Sequence, residues 1–184
     1  MQKKNDNNMK ITIEQLLQNI EKYKVGTKIE LSGTIYTARD QAHKRLVDLI
    51  EKKGDLPINL KNACIYYCGP CPNAPDKIIG SCGPTTSSRM DVYTPAMLDN
   101  GVKILIGKGK RSKDVVEAIK KNKAVYLLAT GGVGALIAEK VKSFKLVAFD
   151  DLGPEAIYEI KIENFPLIVG IDCNGNGLFG RIED

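Results

Sequence analysis

One stretch decides the fold class of this chain: Val102–Ala129, VKILIGKGKRSKDVVEAIKKNKAVYLLA. Its first apolar run, Val102–Ile106, and its last, Ala124–Ala129, have the length and composition of buried strands. Between them, Ser112 is a suitable N-cap for a helix that continues to about Lys121. A strand, a helix and a second strand in this order favour a parallel pair with a crossover helix. We therefore predict an α/β fold with mostly parallel central strands and flanking helices.

The same alternation of strands and helices extends in both directions from this stretch. Further strands are predicted over Ile29–Tyr36, Ala63–Cys68 and Leu146–Phe149, and helices over Arg39–Lys53, Ala135–Lys142 and Asp91 to about Leu98. Two last apolar runs, Ala156–Ile162 and Leu167–Ile171, are predicted to be extra C-terminal strands that close an edge of the sheet.

The N-terminus is expected to be a disordered extension over residues 1–11, because its opening MQKKNDNN is polar. Thr12 then begins a capping box, in which its hydroxyl caps the amide of Gln15 and the Gln15 side chain reaches back. This pattern predicts a short helix that ends at about Tyr23. Residues 12–184 are long enough for one domain with a substantial core.

Composition and charge narrow the classes of function. The chain has 184 residues, of which 43% are hydrophobic and 27% charged, and its net charge is +5. Because the lysines are scattered and no long basic block is present, nucleic acid is a weak prediction. No long apolar span is present, and five cysteines without an export signal favour reduced thiols in the cytoplasm. The positive charge is better suited to an acidic substrate.

Three segments carry the residues that suit such a substrate: Gly33–Arg45 (GTIYTARDQAHKR), Gly83–Asp91 (GPTTSSRMD) and Gly107–Gly109 (GKG). A guanidinium binds a carboxylate through two parallel hydrogen bonds, and an ammonium adds a point charge. Two arginines and a lysine, Arg39, Arg89 and Lys108, together with the hydroxyls after Pro84, therefore suit a small dicarboxylic acid.

Each of these residues also has a purely structural interpretation. Arg39 and Asp40 could form a surface ion pair at the start of a helix, but a cation in the first turn opposes the helix dipole. His43, the one histidine, could carry a proton or could equally position its neighbours by hydrogen bonds. A helix cap explains one of the hydroxyls, and Ser87 or Ser88 is better placed than Thr85 or Thr86 to provide it.

Two further motifs have competing interpretations. The spacing of Cys64, Cys68 and Cys71 could hold a [4Fe–4S] cluster with one open iron, as in radical enzymes that cleave S-adenosylmethionine. Against it, the first two cysteines fall on a predicted strand, where a buried cysteine is a common apolar residue. Gly131-Gly132-Val133-Gly134 resembles a phosphate-binding turn, but without the full dinucleotide fingerprint close packing of a helix on a strand is favoured.

The longest motifs resemble those of the beta subunit of the iron–sulfur fumarases. They are GTIYTARDQAHKRL (Gly33–Leu46), YCGPCP (Tyr67–Pro72), GSCGPTTSSRMD (Gly80–Asp91), GKG (Gly107–Gly109), ATGGVGA (Ala129–Ala135) and FPLIVGIDCNGNGLF (Phe165–Phe179). The related L-tartrate dehydratase beta subunit departs from the chain at Gln41-Ala42, Ser88 and Asp91. Cys68 in turn departs from the fumarase pattern, which more often has an apolar residue there.

This resemblance implies a swivelling β/β/α domain and a hydro-lyase that interconverts malate and fumarate. It implies that a partner alpha subunit carries the [4Fe–4S] cluster, in a homodimer or an α2β2 heterotetramer. It also implies site roles: Arg39, Arg89 and Lys108 contact the substrate carboxylates, Thr85 is the base, and Asp40 and His43 support them. The alternatives are an L-tartrate dehydratase beta subunit and, in another class, a stand-alone carboxylate-binding or regulatory domain.

Overall fold

Seven strands and five α-helices make up the part of the chain that a computed structural model describes, which is residues 8–72, 75–129 and 134–179. The strands are β1 (Met9–Thr12), β2 (Lys28–Thr37), β3 (Cys64–Tyr66), β4 (Ile104–Gly107), β5 (Val125–Leu128), β6 (Val141–Ala148) and β7 (Ile157–Ile171). The helices are α1 (Ile13–Gln18), α2 (Asp40–Glu51), α3 (Thr94–Asp99), α4 (Lys113–Asn122) and α5 (Gly134–Ala138).

The sheet closes on itself. Strands β1 to β5 are parallel neighbours in chain order, with pairs such as Tyr36 with Ile65 and Cys64 with Ile104. Strand β7 runs antiparallel to both β2 and β5, so the strands β2, β3, β4, β5 and β7 form a closed barrel. The predicted α/β class and its parallel central strands are confirmed, and the C-terminal apolar runs, predicted to close one edge, join β5 to β2 and so close a ring.

Strand β7 is one element where the sequence predicted two. It spans 15 residues and continues through Asn164, whose φ of 51° bends the strand at the polar break between the two apolar runs. Near that bend the pairing with β2 shifts register between Leu31 and Gly33. Asparagine tolerates the left-handed conformation better than most residues, so the strand bends here without ending.

Strand β6 also differs from its prediction. It begins at Val141, inside the predicted helix Ala135–Lys142, and it pairs antiparallel with β7. The preceding helix α5 has five residues, which is too short a crossover to return the chain for a parallel strand. The glycine-rich turn lies outside the described residues except for Gly134, the first residue of α5.

Both faces of the central strands are buried, and each faces a different core. Side chains from all five barrel strands meet inside the ring, including Leu31, Tyr66, Ile106, Leu127 and Ile160. The alternate residues of β3 to β5 point outward and pack against α2, α3 and α4; they include Ile65, Leu105 and Tyr126, with Leu46, Met97 and Ile119 from the helices. This double burial explains why these strands are continuous apolar runs.

The N-terminal region matches its prediction in part. The capping box is present: Thr12 Oγ1 accepts from the Gln15 amide, and Gln15 Oε1 accepts from the Thr12 amide. However, Met9–Thr12 pairs with β2, so Met9, Lys10 and Ile11 belong to the sheet and not to the expected extension. Residues 1–7 of that extension lie outside the described residues. No helix among residues 8–72, 75–129 and 134–179 is long and apolar enough to span a membrane.

The parallel arrangement determines where the polar segments meet. Strands β2, β3 and β4 are neighbours and end at Thr37, Tyr66 and Gly107. Arg39 and Lys108 therefore emerge from the same edge of the sheet, on either side of the segment that follows β3. This edge, at the carboxyl ends of parallel strands, is where α/β proteins usually bind ligands.

Candidate functional site

The segment after β3 is held on the end of β4. The amide of Lys108 donates to Ser87 Oγ at 2.9 Å, and the amide of Ser87 donates to the Lys108 carbonyl at 3.2 Å. Thr86 and Lys108 also form an isolated parallel β-bridge. These contacts place the hydroxyl-rich segment and the lysine side by side.

Gly107 makes this close approach possible. A Cβ built on Gly107 would lie 2.0 Å from Ser87 Oγ and 2.8 Å from Cδ2 of Tyr67. Ser87 is fully buried, and its hydroxyl also lies 2.9 Å from the hydroxyl of Tyr126 on β5. The serine is therefore locked between β4 and β5, and it fixes the start of the 3-10 helix Ser87–Met90 that carries Arg89.

Thr85 precedes this helix and is anchored by its backbone. Its amide donates to the carbonyl of Tyr67, the first residue after β3, at 2.8 Å. Thr85 is half-buried, while Pro84 before it is buried. The predicted helix from Asp91 to about Leu98 is present as α3, which begins three residues later, at Thr94, and has Pro95 in its first turn.

Asp40 joins the two arginines of the predicted site. Its Oδ1 accepts a hydrogen bond from Arg89 Nε at 3.0 Å, and its Oδ2 lies 3.9 Å from Arg39 Nε. Glu155 lies on the other side of Arg39, with Oε1 3.5 Å from Nε. Within the described part of the chain, Arg39 Nε and Asp40 Oδ2 are buried and make no hydrogen bond. One carboxylate thus holds two guanidinium groups next to each other.

The Arg39 side chain lies over Gly69. A Cβ at Gly69 would be 2.9 Å from both Cδ and Nη1 of Arg39, and 3.1 Å from the carbonyl oxygen of Pro154. The guanidinium therefore rests directly on the backbone of the loop after β3. A side chain at this position would push the arginine away from Asp40.

His43 lies beneath the site and not at its surface. The residue is 1% exposed, and its Nδ1 lies 2.8 Å from the Arg39 carbonyl, to which it donates. Its ring packs against the rings of Tyr67 and Tyr93. Burial lowers the pKa of His43 to about 4, and the nearby Arg111 guanidinium adds to this effect. At neutral pH the imidazole is therefore uncharged and supports the backbone of Arg39.

Arg111 is a functional candidate that the sequence analysis missed. Its side chain is fully buried, Nε donates to Asp91 Oδ1 at 2.7 Å, and Nη2 donates to Thr94 Oγ1 at 2.8 Å. The guanidinium carbon lies 5.1 Å from the ring centre of Tyr67 and 4.9 Å from that of Tyr126. Arg111 directly precedes the N-cap of α4. Like Arg39, it is a cation at the N-terminus of a helix, where it opposes the helix dipole, and this signal could have identified it from the sequence.

The three-cysteine alternative finds no support in the geometry. Cys64 and Cys68 are buried in the barrel interior, whereas Cys71 is exposed. The Cys68 thiol contacts Cys82, which lies outside the predicted motif. Among the described residues, no group of three or more His, Cys, Asp or Glu side chains is placed to hold a metal ion.

Similarity to known proteins agrees with this geometry. A family model described as Fumarase C-terminus matches residues 1–182 of the chain. The chain belongs to the Fumarase C-terminus family. In this chain, the six residues proposed from the sequence lie at or directly beneath one edge of the barrel. Asp40 forms ion pairs with both Arg39 and Arg89, and Lys108 neighbours the segment that carries Thr85.

Named relatives fall into two groups by length. The anaerobic class I fumarate hydratase of Escherichia coli is 38% identical over 172 residues, which are 92% of this chain and 31% of that protein. Fumarate hydratase 2 of Leishmania major is 37% identical over 175 residues, or 94% of this chain and 31% of that protein. The chain thus spans about a third of the length of these fumarate hydratases.

A third relative has nearly the same length as this member of the Fumarase C-terminus family. It is a protein of Methanocaldococcus jannaschii named putative L(+)-tartrate dehydratase subunit beta. It is 37% identical over 181 residues, which are 95% of this chain and 93% of that protein. The family therefore includes separate chains as well as parts of longer ones.

Proposed function

We propose that this chain is the beta subunit of a [4Fe–4S]-dependent hydro-lyase that interconverts malate and fumarate plus water. The proposal is carried by one observation: Arg39, Arg89 and Lys108 come from loops after three neighbouring parallel strands and meet at one edge of the barrel. We also propose that the domain swivels as a unit against its partner, as the family resemblance implies.

The three cations have a common role in this proposal. Arg39 and Arg89 bind carboxylate groups of the substrate through their free guanidinium nitrogens, and Lys108 adds a third positive charge. Removal of a proton next to a carboxylate leaves an enolate-like dianion, and fixed cations stabilise that charge where it develops. Arg89 is 52% exposed at its side chain, so its outer nitrogens remain open to a ligand.

Thr85 is the proposed base. Its amide is fixed to the Tyr67 carbonyl, and the neighbouring Thr86 is bridged to Lys108, so the backbone of Thr85 is held next to the segment that carries the lysine. A threonine hydroxyl is a weak base in water, but positive groups stabilise its alkoxide form. Asp40 and His43 serve this site as positioning residues: Asp40 holds the Arg89 side chain, and His43 holds the Arg39 backbone.

The cluster is assigned to a partner alpha subunit, as the family resemblance implies. When bound there, it supplies an open iron that acts as a Lewis acid on the substrate hydroxyl. A groove of about 850 Å³ is lined by residues of α4 and the C-terminal turn such as Val116 and Phe179, and Arg39, Arg89 and Lys108 are not among its lining residues. A second chain that covers the edge would exclude water and strengthen the charge interactions there.

A second candidate activity is L-tartrate dehydration. It is favoured by the Methanocaldococcus jannaschii relative, which is matched over 93% of its length and is named putative L(+)-tartrate dehydratase subunit beta. Tartrate is also a small dicarboxylic acid that loses water, so the same cations would serve. The two activities share a site and differ in the substrate.

Co-expression with a cluster-bearing alpha subunit tests the proposal. We expect the two chains to co-purify and to hydrate fumarate, and each chain alone to be inactive. Dehydration of tartrate by the pair would select the second candidate. Binding of malate by the isolated chain, without turnover in any mixture, would support a stand-alone binding domain instead.

Arg89→Lys is the substitution that tests the site itself. Lysine lacks the planar guanidinium, which donates two parallel hydrogen bonds to a carboxylate. Its loss is expected to lower kcat/KM by about tenfold to a hundredfold, because a charged hydrogen bond contributes about 1.5–3 kcal/mol. Arg45→Lys is the matched control, since Arg45 pairs with Asp151 on the surface of α2. Equal activity of the two variants would remove Arg89 from the site.

A further inference from the structure

Two cysteine thiols meet directly in the barrel interior. The Sγ atoms of Cys68 and Cys82 lie 3.1 Å apart, and both residues are fully buried. Cys68 follows β3 by two residues, and Cys82 lies in the segment that leads to Pro84 and Thr85. The hydroxyl of Tyr66 donates to the Cys82 carbonyl at 2.6 Å, which holds the two segments in place around the thiol pair.

The other cysteines provide a contrast. Cys64 is just as buried in the same core, but the described residues place no second thiol in contact with it. Cys173 lies beyond β7 and contacts the side chain of Asn174. Cys71 is exposed, and its amide donates to the carbonyl of Ser81 at 2.9 Å. Proximity therefore singles out Cys68 and Cys82 among the free thiols.

We propose that Cys68 and Cys82 form a redox-modification site, in which hydrogen peroxide converts the two thiols into a reversible disulfide. One thiolate attacks a peroxide oxygen, the O–O bond breaks, and a sulfenic acid and hydroxide result. The second thiol then attacks the sulfenic sulfur, the S–O bond breaks, and water leaves as the S–S bond forms. Over both steps the two sulfurs lose two electrons, and peroxide is reduced to two waters.

The disulfide requires a small movement. The sulfurs have to approach from 3.1 Å to about 2.05 Å, the length of an S–S bond. The bond would join two segments that each carry part of the site: Gly69, next to Cys68, supports the Arg39 side chain, and Cys82 lies three residues before Thr85. Oxidation at this pair therefore fixes the spacing between these two segments.

Access to the buried pair comes through the loop between the two cysteines. Cys71, Pro72 and Pro75 to Ile78 of this loop are exposed and belong to no helix or strand, whereas Pro70 and Ile79 near its two ends are buried. Segments with few buried contacts open locally at low free energy. The hydrogen bond to Cys82 and burial both raise the pKa of Cys68, so few thiolates are present. Oxidation is therefore expected to be slow, and the product is shielded from reductants.

Peptide mapping of the full-length chain tests the proposal. The reduced chain is treated with hydrogen peroxide under native conditions, the remaining thiols are blocked in denaturant, and the protein is digested with trypsin. Trypsin cleaves after Lys77, so Cys68 and Cys82 fall into different peptides. We expect a loss of two hydrogen atoms from the intact mass and a cross-link between these peptides that dithiothreitol reverses.

Cysteine-to-alanine variants identify which cysteine of the first peptide forms the cross-link. In Cys64→Ala/Cys71→Ala, Cys68 is the remaining thiol of its peptide, and the cross-link is expected to persist. In Cys68→Ala it is expected to disappear. A cross-link that is lost from the Cys64→Ala/Cys71→Ala variant, or a wild-type chain that gains oxygen without a cross-link, would overturn the proposal. An unchanged intact mass of the wild-type chain after prolonged treatment would overturn it as well.

Discussion

The Asp40 carboxylate accepts a hydrogen bond from Arg89 Nε at 3.0 Å, although 49 positions separate the two residues in the sequence. The same carboxylate lies beside Arg39, so two like charges are held together by one opposite charge. Without that carboxylate the guanidinium groups would repel each other. Asp40 therefore sets the distance between the two arginines that the proposed function assigns to the substrate.

Asp40→Asn is expected to lower kcat/KM for fumarate hydration by about tenfold in the complex with the alpha subunit, because the charged hydrogen bond to Arg89 becomes a neutral one. The free energy of unfolding should change little, since the amide keeps an acceptor of the same shape. Steady-state kinetics measures kcat/KM, and urea unfolding measures the free energy of unfolding. Asp151→Asn, which affects the surface partner of Arg45, is the control and should retain wild-type activity.

Gly107→Ala is expected to destabilise the protein by about 1–3 kcal/mol, the usual range for overpacking a buried site. The new methyl group would overlap the Ser87 hydroxyl, which has no room to move between β4 and β5. Urea unfolding measures the loss. Adding Ser87→Ala should restore only part of it, because Tyr67 Cδ2 would still lie 2.8 Å from the new carbon.

Gly109→Ala is the control for this prediction. A Cβ at Gly109 would meet no atom within 4 Å, but the residue has a φ of 84°. Its substitution should cost about 1–2 kcal/mol from backbone strain alone. If Gly107→Ala were tolerated without loss of stability, the close contact between β4 and the hydroxyl-rich segment would be refuted.

The buried His43 predicts how stability depends on pH. Its pKa is lowered from 6.5 to about 4 in the folded protein, so between these values the unfolded chain binds more protons than the folded one. The free energy of unfolding should therefore fall as pH decreases from about 6.5 to 4, by up to about 1.4 kcal/mol per pH unit from this group. His43→Asn should show a shallower fall in urea unfolding across this range. Parallel profiles would contradict the assignment.

Arg111→Ala should reduce the free energy of unfolding by about 3–5 kcal/mol, because it leaves the Asp91 carboxylate without its buried partner and removes a cation between two aromatic rings. Thermal unfolding monitored by circular dichroism measures the effect. Arg45→Ala also removes an ion pair, yet Arg45 and Asp151 lie on the surface, so its effect should be much smaller. Comparable losses in both variants would mean that burial does not determine the strength of the Arg111 contacts.

Local sequence patterns correctly predicted the strands and helix caps that depend on residues close together in the sequence. The apolar runs of β2 to β5, the capping box at Thr12 and the N-cap at Ser112 all appear as predicted. Residues far apart in sequence, Arg39, Arg89 and Lys108, were proposed for one site from their chemistry and from the family resemblance. The parallel order of β2, β3 and β4 explains why the loops that carry these residues lie at one edge.

The parts that could not be predicted depend on contacts between distant residues. The two apolar runs of β7 are one strand because β2 and β5 offer partners along its whole length. The burial of His43 depends on Tyr67 and Tyr93, which come from other segments. The thiol contact between Cys68 and Cys82 was likewise not visible, since the sequence spacing pointed to Cys64 and Cys71 instead.

Barrel closure by β7 has a consequence for synthesis of the protein. Strand β7, which closes the ring, follows all the other described strands in the sequence, and its partner β2 lies more than 100 residues earlier, as in the pair Thr34 with Lys161. High contact order slows folding, because distant segments have to find each other before the contacts stabilise them. A nascent chain on the ribosome would therefore hold β2 unpaired on one side until β7 has been made, exposed to chaperones and to aggregation.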